Sequence, residues 1–479
     1  MMYFRALWSQ YRPRYIRSLV YMMQACEYNS TAYLIWYWRV RDFSRVEHRK
    51  QLVTTPKAIV LLICGWACMV WVYGLWLFIF LSGMADFHLY TLLLLLVLPV
   101  IPPLIAYLML VPLVLLEIVQ KPFENYLVSQ AAQKLARHKA LKIAIAGSFG
   151  KTSMREVLRT VLSEGKNVAA PPGSYNTPLG ITTFARSLTG NEEVLIFELG
   201  EYYPGDIKRL CEFVRPTIGV ITGVNEAHLE KFGTLEKTTE TIFELADFLG
   251  GKTIYINGEN DRARISAREG HIVYSREGVD DWTVDRAKTG LEGTSFTLRK
   301  GNVEIPVRSK LLGLHMVGPL ALAARIAFDL GLSVEQIEHG LEKTRPFAHR
   351  LERKDDSSGV ITLDDSYNGN PDGVAAVIEF LKSVPRRRFY VTPGLVEAGS
   401  RTELVHRAIG KQLAEARIEH VVLVRNSVTP FIERGLKEAD FKGQLTWFED
   451  ALTAYAALPH LTVSGDVVVL QNDWPDNYV

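Results

Sequence analysis

The sequence predicts an α/β protein in which a two-helix transmembrane hairpin precedes a central parallel-sheet domain and a smaller C-terminal domain. Three observations lead to this prediction. Two long apolar segments without Lys or Arg lie near the start of the chain. A strand pattern at 141–146 runs through a glycine-rich turn into a helical pattern that ends near 162. After that point, short apolar runs alternate with helical patterns, which is typical of parallel sheets covered by helices.

The apolar segments 58–84 and 89–119 are each long enough to cross a bilayer as a helix. Ten basic residues precede the first segment, none lies in the connection 82–88, and several follow the second, so the positive-inside rule places both ends in the cytoplasm. Four prolines interrupt the second segment and predict a kinked or partly re-entrant helix. The alternative, two buried core helices, would require a soluble core to cover about 50 nearly uncharged residues in a row.

Composition, together with Pro346 where it interrupts a helical pattern, divides the chain into four predicted parts. Residues 1–57 form a basic, aromatic cytoplasmic arm, 58–119 the hairpin, 120–345 the central domain and 346–479 the C-terminal domain. Arg, Trp and Tyr together in the arm favour the lipid headgroup layer, and beside a membrane hairpin this outweighs binding of nucleic acid. The four cysteines have no zinc or disulfide spacing, so we interpret them as free thiols in a reducing compartment.

The glycine-rich turn Gly147-Ser148-Phe149-Gly150-Lys151-Thr152 reads as a phosphate-binding loop. Glycines allow backbone N–H groups to point at phosphate oxygens, Lys151 adds a charge, and Thr152 adds a hydroxyl for Mg²⁺. The loop is a shortened form, because Ile145 stands where the common loop has its first glycine. These features predict a P-loop ATPase domain. The alternative is a glycine turn beside an unrelated Lys-Thr pair.

Two polar side chains follow predicted strands downstream of the loop. Glu198 ends the run 193–199, and His228 follows the run 217–222 by a few residues. Ligands of doubly wound sheets bind at the carboxyl ends of the strands. We therefore expect metal or phosphate roles for both, although isolated carboxylates and histidines are more often surface groups.

The ordered motifs resemble those of the Mur ligases, which build peptidoglycan stem peptides, and among them the member that adds D-alanyl-D-alanine. The resemblance spans about 140–479 and implies a central ATP-binding domain followed by a smaller Rossmann-like C-terminal domain. We place their boundary near 343–347, where Pro346 interrupts the helical pattern before a series of strands begins at Gly359. The motifs after the phosphate loop are Glu198-Leu199-Gly200, Pro204-Gly205-Asp206-Ile207, Ala227-His228-Leu229-Glu230, Phe232-Gly233, Ile256-Asn257, Gly313, His315, Arg350, Asp365-Ser366-Tyr367-Asn368-Gly369-Asn370-Pro371 and Gly465-Asp466.

The resemblance implies ATP and Mg²⁺ as cofactors and an amide bond made through an acyl phosphate. Lys151, Glu198 and His228 would be catalytic, and Thr152, Glu198 and His228 would hold metal. The substrate would meet Asn176, Tyr367 and Asn368. The residues assigned to ATP are Gly147, Ser148, Gly150, Lys151, Thr152, Ser153, Asn257, Arg350 and Asp365.

The chain departs from the family pattern at several positions. Ile242 stands where relatives carry a lysine that is modified to a metal-bridging carbamate, so either Glu240 or Glu244 supplies a carboxylate or the second metal site is weakened. Three further departures are found. This chain has His315-Met316 where relatives have the His-Asn that contacts the base, and Thr222-Gly223 where they have Thr-Asn. Thr177 stands in place of the second asparagine of the loop that meets the acceptor in relatives.

The basic arm and hairpin replace the domain with which soluble relatives grip a uridine nucleotide. We therefore expect a membrane-anchored ligase of the inner (cytoplasmic) membrane, multi-pass, with cytoplasmic catalytic domains. Its partners would be a cell-envelope precursor, including a lipid-linked one, an amino acid or peptide amine donor, membrane lipids and a membrane enzyme, but no nucleic acid. The alternative is a membrane-bound ATP-binding scaffold or regulator that has lost ligation.

Overall fold

The computed structural model describes residues 7–40, 42–43, 46–47, 51–82, 95–173, 175–226, 232–367, 369–396 and 398–472. The chain divides into two compact units between Tyr126 and Leu127. Each unit is described by itself below.

The N-terminal unit is helical. Its helices are α1 (Tyr15–Ala25), α2 (Ser30–Arg39), α3 (Pro56–Ser82), a 3₁₀ turn (Leu98–Val100), α4 (Ile101–Leu108) and α5 (Leu110–Arg137), the last of which continues past the division. Aromatic and aliphatic side chains of α1 and α2, including Tyr15, Leu19 and Tyr33, pack with one face of α3 and α4. The other face of α3 is apolar and exposed.

Two helical stretches of the described chain, Pro56–Ser82 and Leu95–Arg137, are long and apolar enough to cross a membrane by length and composition alone. The second is broken at the 3₁₀ turn and between α4 and α5. Pro99, Pro102 and Pro103 lie at the first break, where their missing N–H groups cost no helical hydrogen bond. The predicted connection between the spans lies outside the described residues, and the transmembrane hairpin stays a prediction.

The first sheet of the larger unit has six parallel strands in the order β2-β3-β1-β4-β5-β6. They are β1 (Leu141–Ala146), β2 (Val168–Ala169), β3 (Val194–Glu198), β4 (Ile218–Ile221), β5 (Ile254–Asn257) and β6 (Ile272–Ser275). Side chains of β1 alternate between two hydrophobic clusters, Ile143 and Ile145 in one and Ala144 and Ala146 in the other, so the sheet is buried on both faces.

Helices cover both faces of this sheet. The cluster on the Ile143 face includes residues of α6 (Lys151–Leu162), α11 (Val317–Asp329) and α12 (Val334–Lys343). The opposite cluster includes residues of α7 (Pro178–Ser187), α8 (Asp206–Val214), α9 (Leu235–Leu249) and the short α10 (Asp261–Ile265). This arrangement confirms the predicted α/β fold.

An antiparallel extension, which the sequence reading did not predict, continues the sheet beyond β6. It consists of β7 (Gly278–Val279), β8 (Trp282–Gly290), β9 (Gly293–Lys300) and β10 (Val303–Ser309). Its outer strand packs against α12, and Trp282, Phe296 and Leu298 join the cluster on that face. Short connections in place of crossover helices distinguish it from the parallel part.

The second sheet has the order β11-β12-β16-β13-β14-β15, parallel except at β11. Its elements are β11 (Glu352–Asp355), β12 (Ile361–Asp365), α13 (Pro371–Lys382), β13 (Arg388–Thr392), α14 (Thr402–Glu415), β14 (His420–Val424), α15 (Thr429–Glu438), β15 (Gln444–Phe448), α16 (Ala451–Leu461) and β16 (Val467–Gln471). Strands were expected from Gly359, and β11 begins seven residues earlier. The predicted domain limits at 119, 345 and the chain ends stay predictions.

Candidate active site

The phosphate loop connects β1 to α6, and its glycines are required by its shape. Gly147 has a φ of 143°, and a Cβ there would lie 2.3 Å from Thr222 Oγ1. Gly150 is left-handed at φ 75° immediately before the first residue of α6. The backbone N–H of Ser148 donates to Gly223 O over 2.9 Å, and the Thr222 hydroxyl donates to Phe149 O. The end of β4 therefore holds the loop in place, and Thr222 serves this purpose.

Glu198 reaches the start of α6 from the neighbouring strand. β1 and β3 pair so that Ile145 lies beside Glu198 at the carboxyl edge. Thr152 Oγ1 donates to Glu198 Oε2 over 2.9 Å, and Glu198 is buried. A hydroxyl and a carboxylate at a phosphate loop are the hard oxygen ligands that Mg²⁺ prefers, so these residues fit the metal. The prediction that Thr152 and Glu198 act together agrees with this geometry.

Arg155 contributes to the site although the sequence did not mark it. Its side chain is fully buried one turn into α6 and donates to Glu198 Oε2 over 3.3 Å. The same guanidinium donates to Gly173 O, in the loop that leads to Asn176. Arg155 therefore links the carboxylate of Glu198 to the loop expected to meet the acceptor. A lone arginine among helical polar positions carries no local signal of such a role.

Lys151 is held by a second buried carboxylate. Its Nζ lies 2.9 Å from both carboxylate oxygens of Glu201 and also donates to Gly147 O. Glu201 is 2% exposed. Sequence reasoning missed Glu201, although its position three residues after Glu198, beyond the carboxyl end of the same strand, was an available signal.

Asn176 lies beside the end of β3. Its backbone oxygen accepts from the N–H of Gly200 over 3.0 Å, and a Cβ on Gly200 would lie 2.9 Å from that oxygen. Thr177, which replaces the second asparagine of relatives, caps α7 by accepting from Gly180 N. The acceptor loop is thus fastened to the same strand end that carries Glu198. A substrate role for Asn176 stays a prediction.

Asn257 ends β5 at the same edge of the sheet, but its amide is engaged. Its Nδ2 donates to Thr222 O over 2.8 Å, and its Oδ1 accepts from Glu259 N over 3.0 Å. Asn257 thus supports the strand end that holds the phosphate loop. Its predicted contact with the nucleoside remains a prediction.

Arg350 and Asp365 belong to the second sheet region. The Arg350 guanidinium lies 4.9 Å from the Tyr367 ring. Burial lowers the pKa of Arg350, while the negative charges of Asp365 and Glu198 oppose that change. Burial raises the pKa of Asp365 to about 6, although Gln471 donates to its Oδ2 over 2.7 Å. Because Glu198 belongs to the first sheet, its influence on the pKa of Arg350 links one predicted residue of each sheet region.

Direct contacts also join the two sheet regions near this edge. Asn225 Nδ2 donates to Asn370 Oδ1 over 2.9 Å and to Asp372 Oδ2 over 2.7 Å. Arg276 pairs with Glu259 over 2.6 Å and with Glu379 of α13 over 3.0 Å. These contacts hold the last domain against the residues that follow β4 and β6. The sequence did not indicate the contacts between the two regions, because their partners are more than 100 residues apart.

His228 and Asn368 lie outside the described residues, so the site is reported without them. At the position of the missing lysine, Ile242 is fully buried in the core. Glu244 accepts from the N–H groups of Gly205 and Lys208 over 2.9 and 2.8 Å at the start of α8. Glu240 is exposed. Glu244 therefore stabilises a helix terminus with both of its oxygens.

His315 and a cluster of possible metal ligands in the second sheet region lie apart from the contacts described above. Burial lowers the pKa of His315 to about 4, and its Nδ1 has no hydrogen-bond partner within the described part of the chain. His349, Glu352 and Asp364 place possible metal ligands within 4.8 Å of one another. The Lys354 ammonium lies 2.6 Å from Asp364 Oδ2 and already supplies the positive charge there.

Two family models match most of the larger unit. The Mur ligase middle domain matches residues 145–327, and the Mur ligase, glutamate ligase domain matches residues 349–471. The chain belongs to the Mur ligase family. The matched ranges contain the phosphate loop, Glu198, Arg350 and Asp365, which confirms the family resemblance read from these motifs.

Relatives with this architecture carry the name UDP-N-acetylmuramoyl-tripeptide–D-alanyl-D-alanine ligase. The protein from Mycobacterium tuberculosis is 31% identical over 294 residues, which cover 59% of this chain and 58% of the relative. The protein from Mycobacterium leprae is 28% identical over 364 residues, covering 69% and 70%. The match thus spans less than two thirds of the length of the first relative.

Solved structures show the same fold. MurF from Acinetobacter baumannii aligns with a TM-score of 0.64 at 24% identity, covering 73% of this chain and 77% of that one. MurF from Thermotoga maritima in complex with ADP aligns with a TM-score of 0.64 at 23% identity, covering 73% and 80%.

Proposed function

We propose that the protein is a membrane-anchored, ATP-dependent ligase that forms an amide bond on a cell-envelope precursor. One observation carries this proposal: Lys151, Thr152 and Glu198 converge at one sheet edge, and the charge of Glu198 acts on Arg350 of the other sheet region. A simple nucleotide-binding module has no need of cationic and anionic groups drawn from two domains. The family membership supports the same class of reaction.

ATP and Mg²⁺ are the cofactors that these residues fit. The backbone of Gly147, Ser148 and Gly150 would hold phosphate oxygens at the N-terminus of α6, where Ser153 lies in the first turn. Thr152 and Glu198, with His228, would hold Mg²⁺, which neutralises phosphate charge during transfer. Lys151 would contact the β and γ phosphates. Arg350 and Asp365 would close onto the nucleotide, while Asn257 supports the loop and borders the nucleoside.

The reaction would proceed in two steps at this edge. A carboxylate of the acceptor, held near Asn176, would take the γ-phosphoryl group and become an acyl phosphate. An amine would then attack the acyl carbon and release phosphate, giving the amide. Lys151 and Arg350 would stabilise the negative charge of the transferring group, and Tyr367 and Asn368 would border the substrate. The name of the relatives points to a D-alanyl-D-alanine dipeptide as the amine.

The exposed apolar faces of α3 and α5 support anchoring in the inner membrane. Trp66, Val70, Trp71, Phe78 and Ile118 are among their exposed residues. A contiguous apolar surface of this length is costly in water. An acceptor held at the same membrane, such as a lipid-linked precursor, would meet the enzyme at a raised effective concentration. The rival is a soluble acceptor delivered by a membrane enzyme that docks on the hairpin.

A second candidate function is a membrane-bound ATP-binding scaffold or regulator without ligase activity. The observation that favours it is Ile242, an apolar core residue at the position where relatives carry a metal-bridging lysine. Glu244 is committed to α8 and gives no replacement carboxylate. This candidate retains nucleotide binding but predicts no dependence of ATP hydrolysis on an acceptor.

Release of ADP and phosphate by the purified full-length protein in lipid nanodiscs separates these functions. Lipid-linked and water-soluble forms of the same carboxylate acceptor are compared, each with and without D-alanyl-D-alanine. We expect turnover that requires acceptor and amine together and is faster with the lipid-linked form. Turnover indifferent to every acceptor would support the scaffold instead. Equal rates with both acceptor forms would remove the lipid-linked part of the proposal.

A further inference from the structure

The ion pair between Lys151 and Glu201 lies inside the phosphate loop itself. Both carboxylate oxygens of Glu201 are 2.9 Å from Nζ, and the same ammonium group donates to Gly147 O. The Lys151 side chain is 11% exposed and the Glu201 side chain 2%. The ammonium group is therefore directed onto the loop backbone and a buried carboxylate.

Glu201 is distinct from the metal-binding carboxylate. Glu198 contacts Thr152 and Arg155, whereas Glu201 contacts Lys151. The two side chains of adjacent loop residues, Lys151 and Thr152, thus each have a separate buried carboxylate. The contact between Glu201 and Lys151 indicates a role of Glu201 that acts through the ammonium group.

Nucleotide binding changes the environment of this pair. A phosphate group that enters the loop competes with Glu201 for the same ammonium group. A carboxylate that remains buried beside phosphate oxygens also repels them, because both carry negative charge in a site of low dielectric. Both effects make the free energy of nucleotide binding less favourable.

We propose that Glu201 is a positioning residue that holds Lys151 back in the nucleotide-free enzyme and sets a threshold for phosphate binding. A ligand whose phosphates reach Lys151 has to replace the Glu201 contact, whereas a nucleoside leaves the ion pair intact. Glu201 therefore lowers the affinity only for ligands that carry phosphate. This inference rests on the proposed nucleotide site at the loop.

The test measures dissociation constants of the full-length protein for ADP and for adenosine by calorimetry, with Mg²⁺ and with EDTA. Glu201→Gln keeps the shape and a hydrogen-bond acceptor, and Glu201→Ala removes the group. We expect both variants to bind ADP roughly five- to tenfold more tightly, with and without Mg²⁺, because a competing charge-assisted contact is lost. The affinity for adenosine should not change. Glu164→Gln is the matched control, since Glu164 pairs with Lys343 over 2.8 Å after the far end of α6.

Three results would overturn the inference. Weaker ADP binding only in the presence of Mg²⁺ would make Glu201 a metal ligand. An unchanged affinity for ADP, with a lower melting temperature, would make it a structural residue. An equal shift for adenosine would indicate a general change of the pocket. If the wild-type protein binds no ADP, the proposed function fails as well, which distinguishes that outcome from the other three.

Discussion

Helices α3 and α11 are both strongly apolar, yet they meet different surroundings. In α11, nine of 13 residues are buried, and the helix packs between α6, α12 and the strands of the first sheet. In α3, four of 27 residues are buried, although the helix contains no charged residue after Lys57. The same kind of sequence is therefore a core element in the larger unit and an uncovered one in the N-terminal unit.

This difference shows that the apolar sequence of a helix can be interpreted only when the surface that packs against the helix is known. Burial in protein stabilises α11 by about 25 cal/mol for each Å² of apolar surface removed from water. The corresponding surface of α3 remains exposed within the described structure, and under the proposed function lipid covers it. The chemistry belongs to the unit that covers its own apolar helix, and the anchoring is proposed for the unit that does not.

The largest expected effect tests whether the chemistry lies only in the larger unit. Lys151→Ala should reduce acceptor-dependent ATP turnover by about a thousandfold or more, because it removes a charge that stabilises the transferring phosphoryl group. Phosphate release is the measurement, and circular dichroism checks the fold. Lys166→Ala, at an exposed pair with Glu193, should leave turnover unchanged. Normal turnover in Lys151→Ala would contradict the assignment of the loop.

The next prediction separates the two units. A protein that starts at Gln120 should leave the membrane fraction and stay soluble, because it lacks the exposed apolar faces, while it keeps ADP binding. Fractionation after ultracentrifugation measures the first property, and calorimetry measures the second.

A topology prediction concerns the full-length protein, with single cysteines introduced at Ser82 and Ser163. In intact cells an impermeant thiol reagent should label only the cysteine at position 82. Labelling at 163 would contradict the cytoplasmic orientation, and membrane association of the shortened protein would contradict anchoring by the N-terminal unit alone.

Replacement of one leucine by alanine in each helix compares directly how tightly the two helices are packed by other protein residues. Leu322 in α11 is fully buried, and Leu322→Ala should lower the free energy of unfolding of the larger unit by about 2–5 kcal/mol through the cavity it leaves. Leu77 in α3 is 48% exposed, and Leu77→Ala should change unfolding by less than about 0.5 kcal/mol. Denaturant titration in nanodiscs provides both values. Similar losses would mean that α3 is packed in a protein core.

The smallest effect concerns pH within the site. Burial raises the pKa of Asp365 to about 6, so the carboxylate that faces Arg350 is ionised above this pH and neutral below it. Turnover should therefore fall as the pH decreases through about 6. Asp365→Asn should have lower turnover, and this turnover should not fall between pH 7 and about pH 5. Profiles of kcat/KM against pH measure both effects. A wild-type profile without a step between pH 5 and 7 would show that this ionisation does not matter.

Much of the site could be predicted because its signals are local. The glycines, Lys151 and Thr152 follow one another in a strand-loop-helix pattern, and Glu198 ends a buried strand. The structure brings Thr152 and Glu198 into contact because their strands are neighbours in the sheet. Arg155 and Glu201 were missed because a buried polar residue looks like a surface residue until its partner is known.

The sequence by itself determined the parallel strands, the family and the phosphate loop, since each depends on periodicity or on residues close together in the chain. The tertiary structure alone decided which carboxylate each loop residue contacts, that β7 to β10 extend the first sheet, and that Asn225 joins Asp372 across 147 positions. Such pairings follow from strand order and domain packing. Both depend on the free energy of the whole fold, and no short segment of the chain encodes them.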